Sequence, residues 1–355
     1  ITERARYRLS HNITRGLCNR VVLNWAKVLS SVVQGSVLGP ILFLMYINDI
    51  DIDILSADAD IYVSKFADDT KIGRIVNDAN DSVKLQMGLD NLVKWCHDWG
   101  MSLHPDKCVV MHFGPKNPSY EYFIEGKKIR SEEVARDLGV YVSVTGESTA
   151  HVEKVAKKAH GVLSQVRRAT IVRDRSTVIA MYRSFIRPLI EFAAPVWSPN
   201  KRGDVDTLEK VQRRCLRMIT NLGGKTYEEK LIELGLQSLE DRRKRGDAIE
   251  TYKYINGFND IDPNSICSFV WDRHDKDTRS SDNNNLVPEK THLNVRKFFF
   301  ANRATWVWND LPSHVKEAAS VNVFKNLYDD VLNSNLHVYD EIAGSCDSEQ
   351  SEFHM

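Results

Sequence analysis

Residues 64–72 read SKFADDTKI, and this stretch decides how the first part of the chain folds. Two β-like runs, 58–66 and 71–76, flank it, so the residues between them form the tip of a predicted hairpin. Asp68 and Asp69 stand side by side at that tip. Because adjacent carboxylates repel each other, the pair is either an ordinary polar turn, where Asp is common, or half of a metal site, where a cation offsets the repulsion.

Composition places the chain among ordinary soluble globular proteins. It has 355 residues, 42% hydrophobic and 27% charged, which suggests two to three domains. No apolar run approaches the roughly 18 residues of a membrane span. The sequence opens at Ile1 with no secretory signal pattern, so we expect a protein that is not secreted and not in a membrane. Six scattered cysteines without CxxC spacing argue against a zinc site and a disulfide framework.

The charge is balanced overall but unevenly distributed. The chain has 48 basic and 48 acidic residues, yet residues 151–250 hold 21 Lys and Arg against 13 Asp and Glu. A neutral total can therefore conceal a basic face. Three arginine-rich stretches, Arg167-Arg168, Arg213-Arg214 and residues 242–245, are either exposed helix faces with surface ion pairs or contacts to a phosphate backbone.

The first part of the sequence mixes strands and helices. An apolar run after Pro40 favours a buried helix that starts near that proline. A second, amphipathic helix is predicted over 81–99, ended by Gly100. The strand predictions are a strand–turn–strand unit over 19–33, strands over 107–114 and 136–143, and a hairpin around Glu125-Gly126.

The acidic stretch from Asp49 to Asp60 has two readings. Its first aspartates have the alternate spacing of a calcium-binding loop. However, Ile54 stands where such a loop needs glycine, and Asp60 where it needs a bidentate glutamate. We therefore favour a solvated connection.

The second part of the sequence is helical. Apolar stripes at three- and four-residue spacing predict helices from about residue 150 through about 256, and another over 320–333. Residues 258–292 are rich in Asp, Asn, Ser and Pro and are interpreted as an extended loop. The pattern as a whole predicts an α+β fold: an antiparallel sheet with helices, followed by helices alone.

Four segments in this order resemble successive motifs of reverse transcriptases: QGSVLGPILFLMYINDI (34–50), FADDTKI (66–72), WCHDWGMSLHPDKCVVMHFG (95–114) and ARDLGVYVS (135–143). The resemblance is closest to polymerases of non-LTR, LINE-type, jockey-like retrotransposons. It extends through RSFIRPLIEFAAPVWSP, LEKVQRRCLRMI, LQSLEDRRKRGDAIETYKYING and FFFANRATWVWNDLP, and so covers roughly residues 10–335.

The resemblance implies roles for individual residues. Asp68 and Asp69 would be catalytic residues and ligands of Mg²⁺ in a two-metal site, and Lys107 would lie near the pyrophosphate. Residues implied to contact substrate are Gln34, Gly35, Phe66, Ala67, Leu138 and Gly139, the last two at the primer end. Arginines of a thumb that would line the nucleic-acid backbone are Arg167, Arg168, Arg213 and Arg214.

The resemblance also implies a division of the chain: a partial palm over 1–145, a helical thumb over 146–235, a helical extension over 236–335 and a disordered acidic tail over 336–355. The family's first metal aspartate lies upstream of the QGS motif, but residues 1–33 contain no Asp and only one acid, Glu3. We therefore expect a C-terminal portion of such a polymerase whose metal site is incomplete.

Two functions remain open from the sequence. The first is RNA-directed DNA synthesis, with an RNA template, a DNA primer, dNTPs and Mg²⁺. The alternative is a catalytically inactive remnant that only binds nucleic acid. The resemblance implies a nuclear and cytoplasmic location, and the oligomeric state is left open.

Overall fold

The computed structural model describes residues 36–259, 262 and 285–332, together with the backbone of five short strands outside these ranges. The chain divides into two compact units, Ile1–Glu133 and Val134–Met355. Each unit combines helices with small strand pairs, which agrees with the predicted α+β class at this coarse level. The sites predicted at Gln34 and Gly35, most of the 258–292 loop and the 336–355 tail lie outside the described residues.

The N-terminal strands form two nested antiparallel pairs. Strand β1 (Ile13–Thr14) pairs with β4 (Ala26–Lys27), and β2 (Leu17–Cys18) pairs with β3 (Val21–Val22). The described strand pairs therefore span 13–27, whereas residues 28–33 of the strand–turn–strand unit predicted over 19–33 lie outside the described part.

Helix α1 (Gly39–Tyr46) begins where the sequence predicts, with Pro40 in its first turn. Proline suits this position because its missing N–H has no intrahelical partner there. The prediction that the helix is buried is wrong. Ile41, Leu44 and Met45 are each more than half exposed. Because the helix is apolar on every side, any one-sided packing leaves apolar residues at the surface.

The acidic stretch forms a helix and not the solvated connection that we predicted. Helix α2 (Ile50–Leu55) buries Ile50 and Ile54, which are four residues apart and so lie on one face. Asp51 and Asp53 occupy the first turn, where the helix dipole favours acids.

The long amphipathic helix is confirmed as α3 (Ala79–Asp98), two residues earlier at its start than predicted. Asp78 caps it by accepting a hydrogen bond from the backbone N–H of Asp81. Gly100 ends it with a φ of 69°, a conformation that glycine adopts without a Cβ clash. Its buried face joins a core made of Ile47, Ile50, Ile54, Ile61, Leu92, Trp95 and Cys96.

The remaining strands of the first unit are short. The predicted hairpin is confirmed as β8 (Phe123–Ile124) with β9 (Lys127–Lys128), turning through Glu125 and Gly126 at positive φ. Strand β7 is limited to Val109–Val110 and pairs in parallel with β10 (Arg130–Ser131). In the described part of this unit the strands form two-stranded sheets, four antiparallel and one parallel, so the predicted antiparallel pairing is present in small sheets.

The second unit opens with a hairpin. The single strand predicted over 136–143 is wrong: β11 (Val134–Asp137) pairs with β12 (Val140–Ser143), and the chain turns at Leu138 and Gly139. Both turn residues have positive φ, 43° and 92°. Gly139 was the local signal for this turn.

Gly139 supports a prediction about stability. A Cβ at this position would meet the ring of Phe192 at 2.9 Å, and the positive φ disfavours any side chain. We expect Gly139→Ala to lower the free energy of unfolding by about 1–3 kcal/mol, measured by urea titration with circular dichroism. The matched control is Gly161→Ala in an exposed helical position with open space around it, which should raise stability by up to about 1 kcal/mol. A neutral or stabilising effect of Gly139→Ala would contradict the described turn.

Helices form the rest of the second unit, and the predicted helical run from about 150 to 256 is confirmed. In chain order they are α4 (Thr149–Ala169), α5 (Arg175–Met181), a π-helical turn (Tyr182–Ile186), α6 (Arg187–Glu191), α7 (Ala194–Trp197), α8 (Arg202–Leu216), a 3₁₀ turn (Thr220–Leu222), α9 (Tyr227–Leu234), α10 (Leu239–Ile255), α11 (Asn294–Lys297), α12 (Phe300–Asn309), α13 (Ser313–Lys316) and α14 (321–332). One further strand pair, β13 (Ser268–Phe269) with β14 (Leu286–Val287), precedes α11.

Two hydrophobic clusters hold these helices together. The first joins the hairpin and helices α4 to α9, with Val152, Leu163, Leu208 and Leu216 among its most deeply buried members. The second brings together α10 and the last helices, through Ala248, Tyr252, Leu286, Trp308, Leu311, Val315, Phe324 and Tyr328. The proposed thumb and extension boundaries stay predictions.

Candidate functional site

The Asp-Asp pair lies at the tip of a tight hairpin, as predicted. Strand β5 (Tyr62–Phe66) pairs antiparallel with β6 (Asp69–Gly73), and the last pair in the register is Phe66 with Asp69. Ala67 and Asp68 are therefore the two loop residues. Ala67 has a φ of 52°, a left-handed conformation that costs a non-glycine residue roughly 1–2 kcal/mol. Strain of this kind collects at functional sites.

The hairpin is fixed to the helices beside it by ion pairs. Lys65 donates to the backbone oxygen of Asn48 at 2.8 Å and to the Asp51 carboxylate at 2.7 Å. At the far end of β6, Arg74 is almost fully buried and pairs with Asp58 and with Asp81, the latter at 2.9 Å. A side-chain hydrogen bond from Lys84 and then the Asp60 backbone and Arg74 lower the pKa of Asp58 to about 2. These contacts restrict how the hairpin tip can move.

The two aspartates are available to a ligand. Asp68 and Asp69 are exposed, and no cation pairs with either of them within residues 36–259 and 285–332. Phe66, next to the tip, is 65% exposed. Neighbouring groups therefore leave both carboxylates free for another cation.

The carboxylate oxygens at the hairpin tip suit Mg²⁺ better than a metal ion that protein side chains coordinate alone. Mg²⁺ prefers carboxylate oxygens and is commonly held by one or two of them, with waters and substrate phosphates completing its shell. Across the part of the chain that the structure describes, no three His, Cys, Asp or Glu side chains form a metal-binding group. Asp68 and Asp69 thus fit the protein's share of a magnesium site that substrate would complete.

Lys107 lies in the first unit, in a 3₁₀ turn (Pro105–Lys107) that follows α3. Its backbone N–H donates to the oxygen of His104 at 2.9 Å, and its side chain is exposed. Leu138 is 43% exposed and forms the turn of the β11–β12 hairpin with Gly139.

The four candidate backbone-binding arginines end two helices. Arg167 and Arg168 lie in the last turn of α4, and Arg213 and Arg214 in the last turn of α8. Arg213 lies over the ring of Tyr227, 4.7 Å from its centre. Arg214 instead lines a cavity together with Arg167. Arg213 and Arg214, although adjacent in sequence, therefore have different environments.

The third arginine-rich stretch is engaged within the fold. Arg242 pairs with Glu191 on α6, and Arg245 pairs with Asp329 on α14 at 2.6 Å. Arg243 is 4% exposed. Arg242 and Arg245 thus connect helices of the second unit, and Arg243 is buried, so these three arginines have structural positions and are not free to contact a phosphate backbone.

Comparison with known proteins identifies the family. Residues 14–148, which include the hairpin and Lys107, match the family described as reverse transcriptase (RNA-dependent DNA polymerase). Over these residues the chain is similar to reverse transcriptases. The matched region ends five residues after β12, so it covers the Leu138–Gly139 turn as well.

The relatives are mobile-element polymerases of Drosophila melanogaster. The chain is 22% identical over 252 residues to "RNA-directed DNA polymerase from mobile element jockey", covering 67% of this chain and 26% of that protein. It is 23% identical over 232 residues to "Probable RNA-directed DNA polymerase from transposon BS", covering 61% and 25%, and 24% identical over 203 residues to the X-element polymerase, covering 54% and 22%. The resemblance to non-LTR reverse transcriptases is confirmed. The chain spans about a quarter of the length of these relatives.

Sequence reasoning missed some of the site's surroundings. The contacts of Arg74 with Asp58, Asp60 and Asp81, which hold the hairpin, were not predicted, although all three acids lie in the segment 58–81 around this arginine. Arg173 and Arg217, which line the same cavity as Arg167 and Arg214, were also missed, because neither belongs to an arginine pair. No helix in the described ranges is long and apolar enough to cross a bilayer.

Proposed function

We propose that the chain is part of a non-LTR retrotransposon polymerase that makes DNA on an RNA template, with Asp68 and Asp69 as its catalytic carboxylates. One observation carries the proposal: two exposed, uncommitted aspartates stand at the tip of an anchored hairpin inside a reverse transcriptase domain. Nucleotide addition concentrates negative charge on phosphate oxygens, and a rigid carboxylate pair can hold the cations that offset it.

Asp68 and Asp69 would hold Mg²⁺, which supplies stabilisation of the charge that develops on the attacking and leaving oxygens. The short Asp stems and the Lys65 and Arg74 anchors would keep the carboxylates in one place while substrate binds. Phe66 offers an exposed ring beside them for contact with a base or sugar. Ala67 lets the chain approach a nucleotide closely because its side chain is small.

The other implied residues have supporting roles in this proposal. Lys107 would neutralise the departing pyrophosphate. Gln34 and Gly35 would lie beneath the incoming nucleotide and template, and Leu138 and Gly139 would contact the primer end. The substrates are an RNA template, a DNA primer and dNTPs, and the work of such an enzyme implies nuclear and cytoplasmic locations.

A second candidate function is binding of nucleic acid without synthesis. The observation that favours it is the number of ligands: two carboxylates are grouped here, and residues 1–33 contain no Asp. With these two carboxylates alone, the chain would hold a hybrid without extending it.

Primer extension separates the two functions. The 355-residue chain is incubated with a labelled DNA primer on an RNA template, dNTPs and Mg²⁺, and binding to the same hybrid is measured in parallel. Polymerase function predicts extension that depends on Mg²⁺ and on the RNA template. Binding of the hybrid with no extension in Mg²⁺ or Mn²⁺ would overturn it in favour of the binding function.

A further inference from the structure

Four arginines converge on one cavity in the second unit. Arg167, Arg173, Arg214 and Arg217 line a recess of about 290 Å³, together with Ser164 and the buried side chains of Leu163 and Met218. We call this recess the arginine groove. Its volume is at the lower end of ligand-binding pockets. No acidic side chain lines it.

Backbone contacts fix the arrangement of the groove. Arg167 follows buried Leu163 by four residues on α4, and so lies on the same face of that helix. Arg214 and Arg217 are three residues apart at the end of α8. The connection between α4 and α5 carries Arg173, whose backbone oxygen accepts hydrogen bonds from the N–H of Thr220 at 3.3 Å and from its hydroxyl at 3.4 Å. Three separate segments are therefore held together around one space.

The four guanidiniums lack internal counter-charges. None of them forms an ion pair with a carboxylate in the described ranges 36–259 and 285–332. Asp174, next to Arg173, accepts hydrogen bonds from Ser176 and Thr177 at the start of α5. Burial, and then the charge of Arg214, lower the pKa of nearby His160, which is consistent with a positive potential here.

Helix dipoles give an alternative reason for arginines at these positions. A cation near a helix C-terminus is stabilised by the partial negative charge there, roughly half a unit for each helix. Two helix ends supply about one negative charge against four full positive charges. The dipoles therefore account for only part of the cluster, and a site this positive is complementary to an anion.

We propose that the arginine groove binds the phosphate backbone of nucleic acid. This inference rests on the proposed function for its partner, since a polymerase must hold a template–primer hybrid. Guanidinium groups match phosphate oxygens in pairs, and several together give affinity without sequence preference. Arg168 and Arg213 are excluded from the groove, and Arg173 and Arg217 are added to it.

The test uses binding of a labelled RNA–DNA hybrid to the full chain, in EDTA and without dNTPs, so that it is independent of catalysis. Single variants Arg167→Gln, Arg173→Gln, Arg214→Gln and Arg217→Gln should each weaken binding by about tenfold at low salt. Each should also reduce the slope of log K against log salt by roughly 0.7–0.9. The matched control is Arg183→Gln, an exposed arginine of the π-helical turn that does not line the groove, which should change affinity less than about twofold. Thermal melts verify that every variant is folded.

Two results would overturn the proposal that the arginine groove binds a phosphate backbone. Equal losses in Arg183→Gln and Arg167→Gln would indicate diffuse surface charge and no defined site. Unchanged hybrid affinity in the groove variants, together with groove-dependent binding of inorganic pyrophosphate, would indicate a small-anion site. Failure of primer extension alone leaves these binding results untouched, so the two proposals are tested separately.

Discussion

Replacing Asp247 with asparagine is expected to destabilise the second unit by about 3–5 kcal/mol, the usual consequence of removing one partner of a buried ion pair. Asp247 is 3% exposed. Arg303 donates to both of its carboxylate oxygens, from Nε at 2.8 Å and from Nη2 at 2.9 Å. The same guanidinium donates to the backbone oxygens of Phe298, at 3.0 Å, and of Pro195. One side chain thus joins α10 and α12 to the segments around these two residues.

The effect is enlarged by a second buried cation. Arg243 is one turn before Asp247 on α10, and its two terminal nitrogens are buried with no hydrogen-bond partner in the described structure. Asp247 is one of the acids whose charge stabilises that guanidinium. Asparagine preserves the shape of the Asp247 side chain but removes its negative charge. The positive charges of the buried Arg243 and Arg303 guanidiniums are then no longer compensated.

Urea unfolding of the second unit measures this change. The control is Asp310→Asn, an exposed aspartate at the end of α12, which should shift stability by less than about 0.5 kcal/mol. A change below about 1 kcal/mol for Asp247→Asn would contradict the described pair.

Replacing Asp68 with asparagine is expected to reduce Mg²⁺-dependent primer extension at least about 100-fold. Metal stabilisation in such reactions contributes several kcal/mol, and each 1.4 kcal/mol corresponds to a factor of about ten in rate. The asparagine side chain would keep one neutral oxygen in place but lose the charge that attracts a cation. Asp69→Asn should also reduce extension, because Asp69 adjoins Asp68 at the same hairpin tip and is equally exposed.

The matched control for Asp68 is Asp53→Asn. Asp53 is exposed on α2 in the same unit and forms no ion pair in the described part of the chain. This control variant should extend the primer at the wild-type rate. If Asp68→Asn extends equally well, Asp68 has no part in the reaction.

Local turn chemistry made several elements predictable from sequence. The hairpins at Ala67-Asp68 and at Glu125-Gly126 were found because turn residues separate short β-like runs. Helix α3 was found because its apolar stripe is regular and Gly100 marks its end. The β11–β12 turn was not predicted, although Gly139 is a typical turn residue. The residue before it, Leu138, is unusual at positive φ and favoured a continuous strand.

Burial was less predictable than secondary structure. The apolar run of α1 indicated a buried helix, but Ile41 and Leu44 are exposed. Periodicity states which residues share a face, whereas burial depends on which other elements cover that face.

Which arginines line the groove was also not predictable from local sequence patterns. Arg167 and Arg168 are equivalent in sequence, but successive helical residues point about 100° apart, so only Arg167 reaches the groove. Arg173 and Arg217 join it through contacts between distant segments, which no local pattern reveals. The position of Asp68 and Asp69 at a tip could be predicted because it depends on one local hairpin.

Manganese binding tests the central claim most directly, because paramagnetic Mn²⁺ replaces Mg²⁺ and broadens the NMR signals of nearby amides. The claim is that the tip of the β5–β6 hairpin is the cation site of the first unit. Titration of the isotope-labelled chain with Mn²⁺ should broaden amides around residues 66–70 first, and Asp68→Asn should abolish that selectivity. Broadening centred on the other acids, such as those of α2, with residues 66–70 unaffected, would contradict the account.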